Sequence, residues 1–285
     1  MRIAKLAKND ASVLLNTALE NGINFFDHAD IYGAGKSEEV FAEALSLNPA
    51  LRENMYIQTK CGIRKGYFDF SKDHILNSVD KSLKRLKTDY VDTLLLHRPD
   101  TLVEPEEVAD AFNTLESAGK VRHFGVSNHN PGQIELLQKF VEQKLIINQL
   151  QFSITNTGMI DRGINVNMEN PASIDHDGGI LDYCRLHDIR IQPWSPFLFG
   201  YFEGIYLDHP KFPELNDTLD RIAKEKNTNK SALVIAWMLR HPAKMQPIVG
   251  TTNPKRLSDI CMALGIEITR PEWYEIYRAA GNVLP

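Results

Sequence analysis

Several things are scarce in this sequence, and each scarcity excludes something. No apolar run approaches the ~20 residues that a membrane helix needs. The N-terminus, MRIAKLAKND, carries charge where a secretory leader would need an apolar stretch. No membrane partner is therefore expected. There are only three cysteines, Cys61, Cys184 and Cys261, widely spaced and without a CxxC pair. This favours reduced thiols and a cytoplasmic protein over a disulfide framework. Positive charge is not in excess: the formal net charge is −5. That argues against nucleic acid as a partner, although a local basic patch can still hold a small phosphate. The nine histidines include no HExxH-type pair, so no metal site is expected. No Gly/Pro/Ser-rich linker divides the chain, and no heptad pattern marks an obligate interface, so a monomer or weak homo-oligomer is expected.

What is present is alternation. Short apolar stretches, ending at Asp27, Lys60, His97, Ser127, Phe152, Ser195 and Thr251, alternate with helical stripes such as Ile75, Val79, Leu83 and Leu86. Tyr90–His97 (YVDTLLLH) is the clearest strand. Asp10 is positioned to cap a first helix, and Gly22 to stop it. Parallel strands with helical crossovers are the natural solution for this order. The 285 residues fit one (β/α)8 TIM barrel, read as a single domain over 1–285. A doubly wound open sheet competes, but its Gly-rich phosphate fingerprint after the first strand is absent. Seven strands are clear. The eighth would have to be Met1-Arg2-Ile3, a first strand truncated at the N-terminus and completing the barrel as a stub. Residues 153–179, rich in Asn, Gly and Asp, read as a long loop, either a lid over a site or a solvated excursion.

Polar residues end these apolar strands: Asp27, Lys60, His97, Ser127 with Asn128, and Ser195, while Gln149 lies within another. Singly, each has an ordinary structural explanation as a cap, a solvated charge or a hydrogen-bonded core residue. In a parallel barrel, however, the strand ends converge on one face, where such a set belongs to a site.

The stretches FDHADIYG (26–33), Thr59-Lys60, LLLHRPD (94–100), GKVRHFGVSN (119–128), Asn148-Gln149, WSPF (194–197) and IVGTTNPKR, ending at Arg256, resemble the aldo-keto reductase family in order and approximate spacing. Within that family the chain is most similar to bacterial reductases of the ydhF type. The resemblance implies a tetrad: Tyr32 as proton donor to the substrate oxygen, Lys60 beside its phenol, Asp27 paired with Lys60, and His97 orienting the carbonyl. An ordinary tyrosine, with a pKa near ~10, is a weak acid at neutral pH. A neighbouring ammonium is expected to lower it, and a buried ammonium needs a carboxylate partner.

The resemblance also implies a nicotinamide cofactor, NADP (as NADPH) in preference to NAD. The nicotinamide would lie over Trp194, its amide held by Ser127, Asn128 and Gln149. Ser195, Pro196, Phe197 and Leu198 would line the pyrophosphate. Gly250, Thr251, Thr252, Arg256 and Asp259 would meet the adenosine phosphate, near a helix N-terminus. Many members have a lysine where Gly250 stands and Glu-Asn where Asp259-Ile260 stand, so one cationic contact is missing. Arg98 is expected to line the pocket of a small-molecule carbonyl substrate, or else to pair with Asp100. Two other functions fit the same residues less fully: a regulatory NADP-binding redox sensor with little turnover, and a non-redox barrel using Lys60 as a Schiff-base amine.

Overall fold

A computed structural model describes residues 2–46 and 49–285, the Pro49 side chain excepted. Among the described residues the sheet strands are β1 (Phe25–Asp27), β2 (Tyr56–Cys61), β3 (Val91–Leu96), β4 (Val121–Ser127), β5 (Leu145–Gln151) and β6 (Arg190–Trp194), in the order β1-β2-β3-β4-β5-β6. The helices between and after them are α1 (Lys8–Glu20), α2 (Lys36–Leu45), α3 (Pro49–Glu53), α4 (Lys72–Leu86), α5 (Pro105–Ser117), α6 (Pro131–Gln138), α7 (Gly158–Ile164), α8 (Ile180–Leu186), α9 (Pro213–Glu225), α10 (Lys230–Leu239), α11 (Pro254–Cys261) and α12 (Arg270–Ala279). This is the alternating α/β order of the (β/α)8 class.

The chain packs as two compact units. The first comprises Met1–Asn148 and Gly250–Pro254, the second Gln149–Val249 and Lys255–Pro285. In the first unit β1, β2, β3 and β4 pair in parallel, with Lys60 beside Leu95 and Leu95 beside Gly125. Every residue of β3 and all but the first of β2 are buried. That is why neither strand alternates apolar with polar residues, and why β3 ends in a continuous apolar run. Gly125 is required by packing: a Cβ there would press on the Ile147 carbonyl and the Leu95 side chain. On the helical side Ile75 and Val79 of α4, Val108 and Phe112 of α5 and Phe41 of α2 are fully or almost fully buried. The Phe112 and Phe124 rings stack at 4.0 Å.

The second unit is built around α9, α10 and α12. Trp237 and Trp273 stack at 4.8 Å, and each indole N–H donates to the other residue's carbonyl, at 3.0 and 3.1 Å. Two buried N–H groups are thereby satisfied without solvent.

Four expectations change. Arg2–Lys5 form a turn of 3-10 helix, so the strand stub does not form; Met1 lies outside the described residues. The stretch 247–251 is reduced to one parallel bridge, Ile248 beside Trp194; Gln246 and Ile248 donate their N–H groups to the Ile191 and Pro193 carbonyls, and Pro247 between them has no N–H to offer a strand on its other side. Helix α1 begins at Lys8 after Ala7, and Asp10 lies in its first turn rather than capping it. There its charge still complements the helix dipole. The 153–179 segment is not structureless. It holds α7 and a 3-10 turn, Pro171–Ser173, and Asp161 of α7 accepts from Tyr277 Oη at 2.6 Å and from Thr157 Oγ1 at 3.0 Å. A further hairpin, β7 (Leu198–Phe199) with β8 (Gly204–Ile205), follows Trp194.

Candidate active site

Parallel pairing brings the ends of β1, β2, β3 and β4 side by side in the first unit. The ladder continues past β1: His28 N–H donates to the Gln58 carbonyl at 2.8 Å, and Asp30 N–H to the Lys60 carbonyl at 3.0 Å. It continues past β3 as well, where His97 N–H reaches the Cys61 carbonyl at 2.9 Å. Asn128, with a left-handed φ of 61°, turns its amide back across β4. Its Nδ2 donates to Ser127 Oγ at 2.8 Å and to the His97 carbonyl at 3.2 Å.

Lys60 has no exposed surface. Its Nζ donates to both Asp27 carboxylate oxygens at 2.7 Å, to the His28 carbonyl at 2.8 Å and to Tyr32 Oη at 3.3 Å. Burial alone would lower the ammonium's pKa. Asp27, and then Tyr32, reverse that and hold it above the usual lysine range. Asp27 also accepts from Gln58 Nε2 at 2.5 Å. The Tyr32 ring meets His97 edge-on, with centroids 5.9 Å apart.

The expected lowering of the Tyr32 phenol does not follow. Burial raises it, the Lys60 ammonium pulls it down by less, and Asp27 pushes it up again. The phenol is held in its protonated form. His97 is pushed down to about 3 by burial first and by Lys60 second, with Asp27 opposing and Arg98 adding to the fall. Its ring is therefore neutral at physiological pH. Its Nδ1 is buried without a hydrogen-bond partner among the described residues.

The structure thus brings Asp27, Tyr32, Lys60, His97, Ser127 and Asn128 together. Arg98 is half-buried directly after His97. Asp100 accepts from the backbone N–H groups of Phe70 and Leu102, both at 2.9 Å, so its carboxylate fixes the loop after β2.

In the second unit Gln149 Nε2 donates to Gln192 Oε1 at 3.0 Å, both side chains being buried. The half-buried Trp194 ring stacks on Phe202 at 5.8 Å. Ser195 has a left-handed φ of 57°. The Pro196 carbonyl accepts from Tyr206 Oη at 2.9 Å, and the Leu198 carbonyl from Ser153 Oγ at 2.9 Å. The Phe197 carbonyl accepts from Tyr206 N–H at 3.2 Å. Arg256 is exposed in the first turn of α11, and Asp259 accepts from Lys255 Nζ at 2.9 and 3.1 Å. In the first unit Gly250 is exposed and Thr251 and Thr252 half-buried; Thr251 Oγ1 accepts from Asn253 N–H at 3.1 Å.

Sequence reasoning missed three contributors. Gln58 lies two residues before Lys60, on the same face of a strand, and that spacing to a site residue was the available signal. Gln192 gives the same signal in β6. The His28 contribution is a backbone carbonyl, which no side-chain pattern encodes. Among the described residues no group of three or more His, Cys, Asp or Glu could hold a metal, and no helix is long and apolar enough to cross a membrane.

The aldo/keto reductase family model matches residues 1–280. The oxidoreductase YdhF of Escherichia coli (strain K12) is 38% identical over 271 residues, covering 92% of this chain and 84% of that protein. A 6-dehydroglucose reductase of Agrobacterium fabrum is 35% identical, covering 93% of this chain and 86% of that protein. Among solved structures, an aldo-keto reductase from Klebsiella pneumoniae in complex with NADPH has the same fold, with a TM-score of 0.76 at 22% identity, covering 96% of this chain and 87% of that one.

Proposed function

This chain belongs to the aldo/keto reductase family, and from that premise we propose that it reduces aldehyde or ketone carbonyls to alcohols with NADPH, Tyr32 giving the proton. The observation that carries the reading is the Lys60 ammonium, bound by both oxygens of Asp27 and within hydrogen-bond reach of the Tyr32 phenol. A phenol held protonated by burial can donate, and the ammonium beside it stabilises the phenolate that donation leaves. Neutral His97, edge-on to the Tyr32 ring, is suited to hydrogen-bond the carbonyl oxygen and fix its position. Lys60 itself is a poor Schiff-base nucleophile, because it is held as an ammonium with its hydrogens already engaged.

The family resemblance implies a nicotinamide nucleotide, and each unit carries groups of matching chemistry. Ser127, Asn128 and Gln149 offer the hydroxyl and amide groups that match a carboxamide, and Trp194 offers a flat, half-buried ring. The left-handed turn at Ser195 and the backbone of Pro196, Phe197 and Leu198 would follow the pyrophosphate. Thr251, Thr252 and Arg256 would take the 2′-phosphate of NADPH. The nucleotide supplies the hydride when bound. Two relatives at 35% identity are named 6-dehydroglucose reductases, so a sugar bearing an aldehyde at C6 is the first substrate class to screen.

The test has two parts. Titration with NADPH should quench tryptophan fluorescence saturably and more tightly than NADH; no quenching by either removes the cofactor assignment. Tyr32→Phe should then cut kcat for aldehyde reduction by roughly 10²- to 10⁴-fold while NADPH still binds. A variant that turns over at the wild-type rate would show that another group gives the proton.

A further inference from the structure

Two carboxylates, one fully buried and one half-buried, lie behind the Tyr32–Lys60 pair. Glu38, in the first turn of α2, has no exposed surface. Its Oε1 accepts from Thr59 Oγ1 at 2.7 Å and its Oε2 from Arg85 Nε at 2.6 Å. Arg85 also donates to Ser82 Oγ at 3.1 Å. Asp30 lies in the turn between β1 and Tyr32. Its N–H holds the Lys60 carbonyl at 3.0 Å, while its Oδ1 is buried without a hydrogen-bond partner among the described residues. The groups that face the Asp30 carboxyl are Glu38 from α2, Ser78 and Arg85 from α4, the Ile31 N–H of its own turn and the Cys61 thiol of β2.

We infer that Asp30 and Glu38 form a clamp that sets the Tyr32–Lys60 distance, with Asp30 acting as a pH-responsive positioning residue for the proton transfer proposed above, on which its role in turnover rests. Both attachments land on neighbouring residues of β2, Thr59 and Lys60. Both come from the segment that carries Tyr32. That segment is stapled together: Tyr32 N–H donates to the Ala29 carbonyl at 3.0 Å, and Ser37 N–H to the Tyr32 carbonyl at 3.2 Å. Turn and helix therefore shift as one piece relative to β2.

One guanidinium serves two carboxylates. Burial first, and Glu38 second, push Asp30 up to about 6; the Ile31 N–H, Ser78 and Arg85 oppose them. Below that pH Asp30 is neutral and the clamp holds one carboxylate against one guanidinium. Above it, a second negative charge repels Glu38 where little water screens it. A carboxylate kept in such a place is costly and is typical of functional sites. The Tyr32–Lys60 hydrogen bond, at 3.3 Å, is already long, so a small opening breaks it. His28 and His97, the other titratable neighbours, are pushed down to about 3 and stay neutral through this range.

The test uses the whole protein labelled with 13C at the tyrosine ring Cζ, with the Tyr32 resonance assigned by its loss in Tyr32→Phe. In the wild type the resonance should move between pH 5 and 8 with an inflection near 6. Asp30→Asn should abolish the inflection. Ser78→Ala, which removes a hydrogen bond favouring the ionised form, should move it to higher pH. In parallel, kcat for 4-nitrobenzaldehyde at saturating NADPH should fall by up to roughly tenfold as pH rises through the same point, and Asp30→Asn should stay at the acid-side rate. A flat Tyr32 resonance, or the same inflection in Asp30→Asn, overturns the clamp. Identical pH–kcat profiles in the two proteins overturn the positioning role. A resonance that follows Asp30 in a protein reducing no carbonyl upholds the clamp and overturns the reductase reading instead.

Discussion

At the scale of single residues, the proposed cofactor pocket has a gap that can be filled. Gly250 stands where many family members carry a lysine. Its backbone is not in the left-handed region, and a Cβ built on it would meet nothing within 4 Å. A Cβ there costs no strain and displaces no neighbour. The Gly250→Lys variant is therefore expected to fold as well as the wild type and to bind NADPH more tightly. The gain should be on the order of 1 kcal/mol, or several-fold in Kd, as a partly solvated charge-assisted contact gives. NADH affinity should barely change, since NADH has no 2′-phosphate for the new cation. Fluorescence titration with both nucleotides decides the matter. Equal gains for both would mean that the lysine reaches the pyrophosphate or only raises the local potential, and the assignment of residues 250–256 to the 2′-phosphate would fall.

At the scale of elements, the loop after β2 shows how closely the site depends on one glycine. Gly62 follows Cys61 with φ 109°, a conformation that side-chain-bearing residues rarely adopt. A Cβ there would fall within the van der Waals envelope of the Phe70 ring. Phe70 is 2% exposed, stacks on His129 at 6.1 Å and is tied through its N–H to Asp100. The ring cannot swing away cheaply. Gly62→Ala should cost about 2–4 kcal/mol, combining an unfavourable φ with overpacking, and lower Tm by roughly 5–10 °C for a chain of this size. An unchanged Tm would mean that the loop re-forms elsewhere at no cost. The same scale shows what the sequence made legible. A strand buried on both faces, such as β3, announces itself by its apolar run, and residues ending the strands could be assigned to one face. Helix α7 could not be seen, because Gly158, Gly163 and the surrounding Asn and Asp residues read as loop. It is secured instead by Tyr277, a residue 116 positions away from Asp161 in sequence. The hairpin β7–β8 has two residues per strand, too few to show any period. In the site, the side chains of a motif were legible, whereas the Asp30–Glu38 relation was not. It depends on a turn and a helix start folding back onto one strand, and no spacing in the sequence encodes that distance.

At the scale of the whole molecule, buried titratable groups set the pH range in which the fold persists. His28 and His97 are pushed down to about 3 and His129 to about 4, in each case mainly by burial. In the unfolded chain each takes a proton near ~6.5. As pH falls below that value the unfolded state gains protons at these positions that the native state refuses, so native stability declines with falling pH. Each histidine contributes at most about 1.4 kcal/mol per pH unit in that window. Asp30 acts in the opposite sense. Its native pKa of about 6 exceeds the ordinary 3.8, so between those values the native state holds a proton that the unfolded state lacks. The three buried histidines outweigh the one carboxyl by two groups, at most about 3 kcal/mol per pH unit between roughly pH 4 and 6, and half-buried His241, pushed down to about 4 by burial first and Arg185 second, steepens the fall further. The alkaline side is bounded by Lys60: its raised pKa adds stability that is present below the ordinary lysine range and lost as pH rises through the native value. Urea unfolding at a series of pH values should show the midpoint falling steadily from pH 7 to pH 5. Asp30→Asn should fall more steeply over that interval, because the opposing group is gone, and should start from a higher midpoint at pH 7, because a charge that its partners only partly compensate is gone with it. A wild-type midpoint that stays level from pH 7 to pH 5 would mean that the histidines protonate without unfolding the chain, in pockets more open to water than their burial implies.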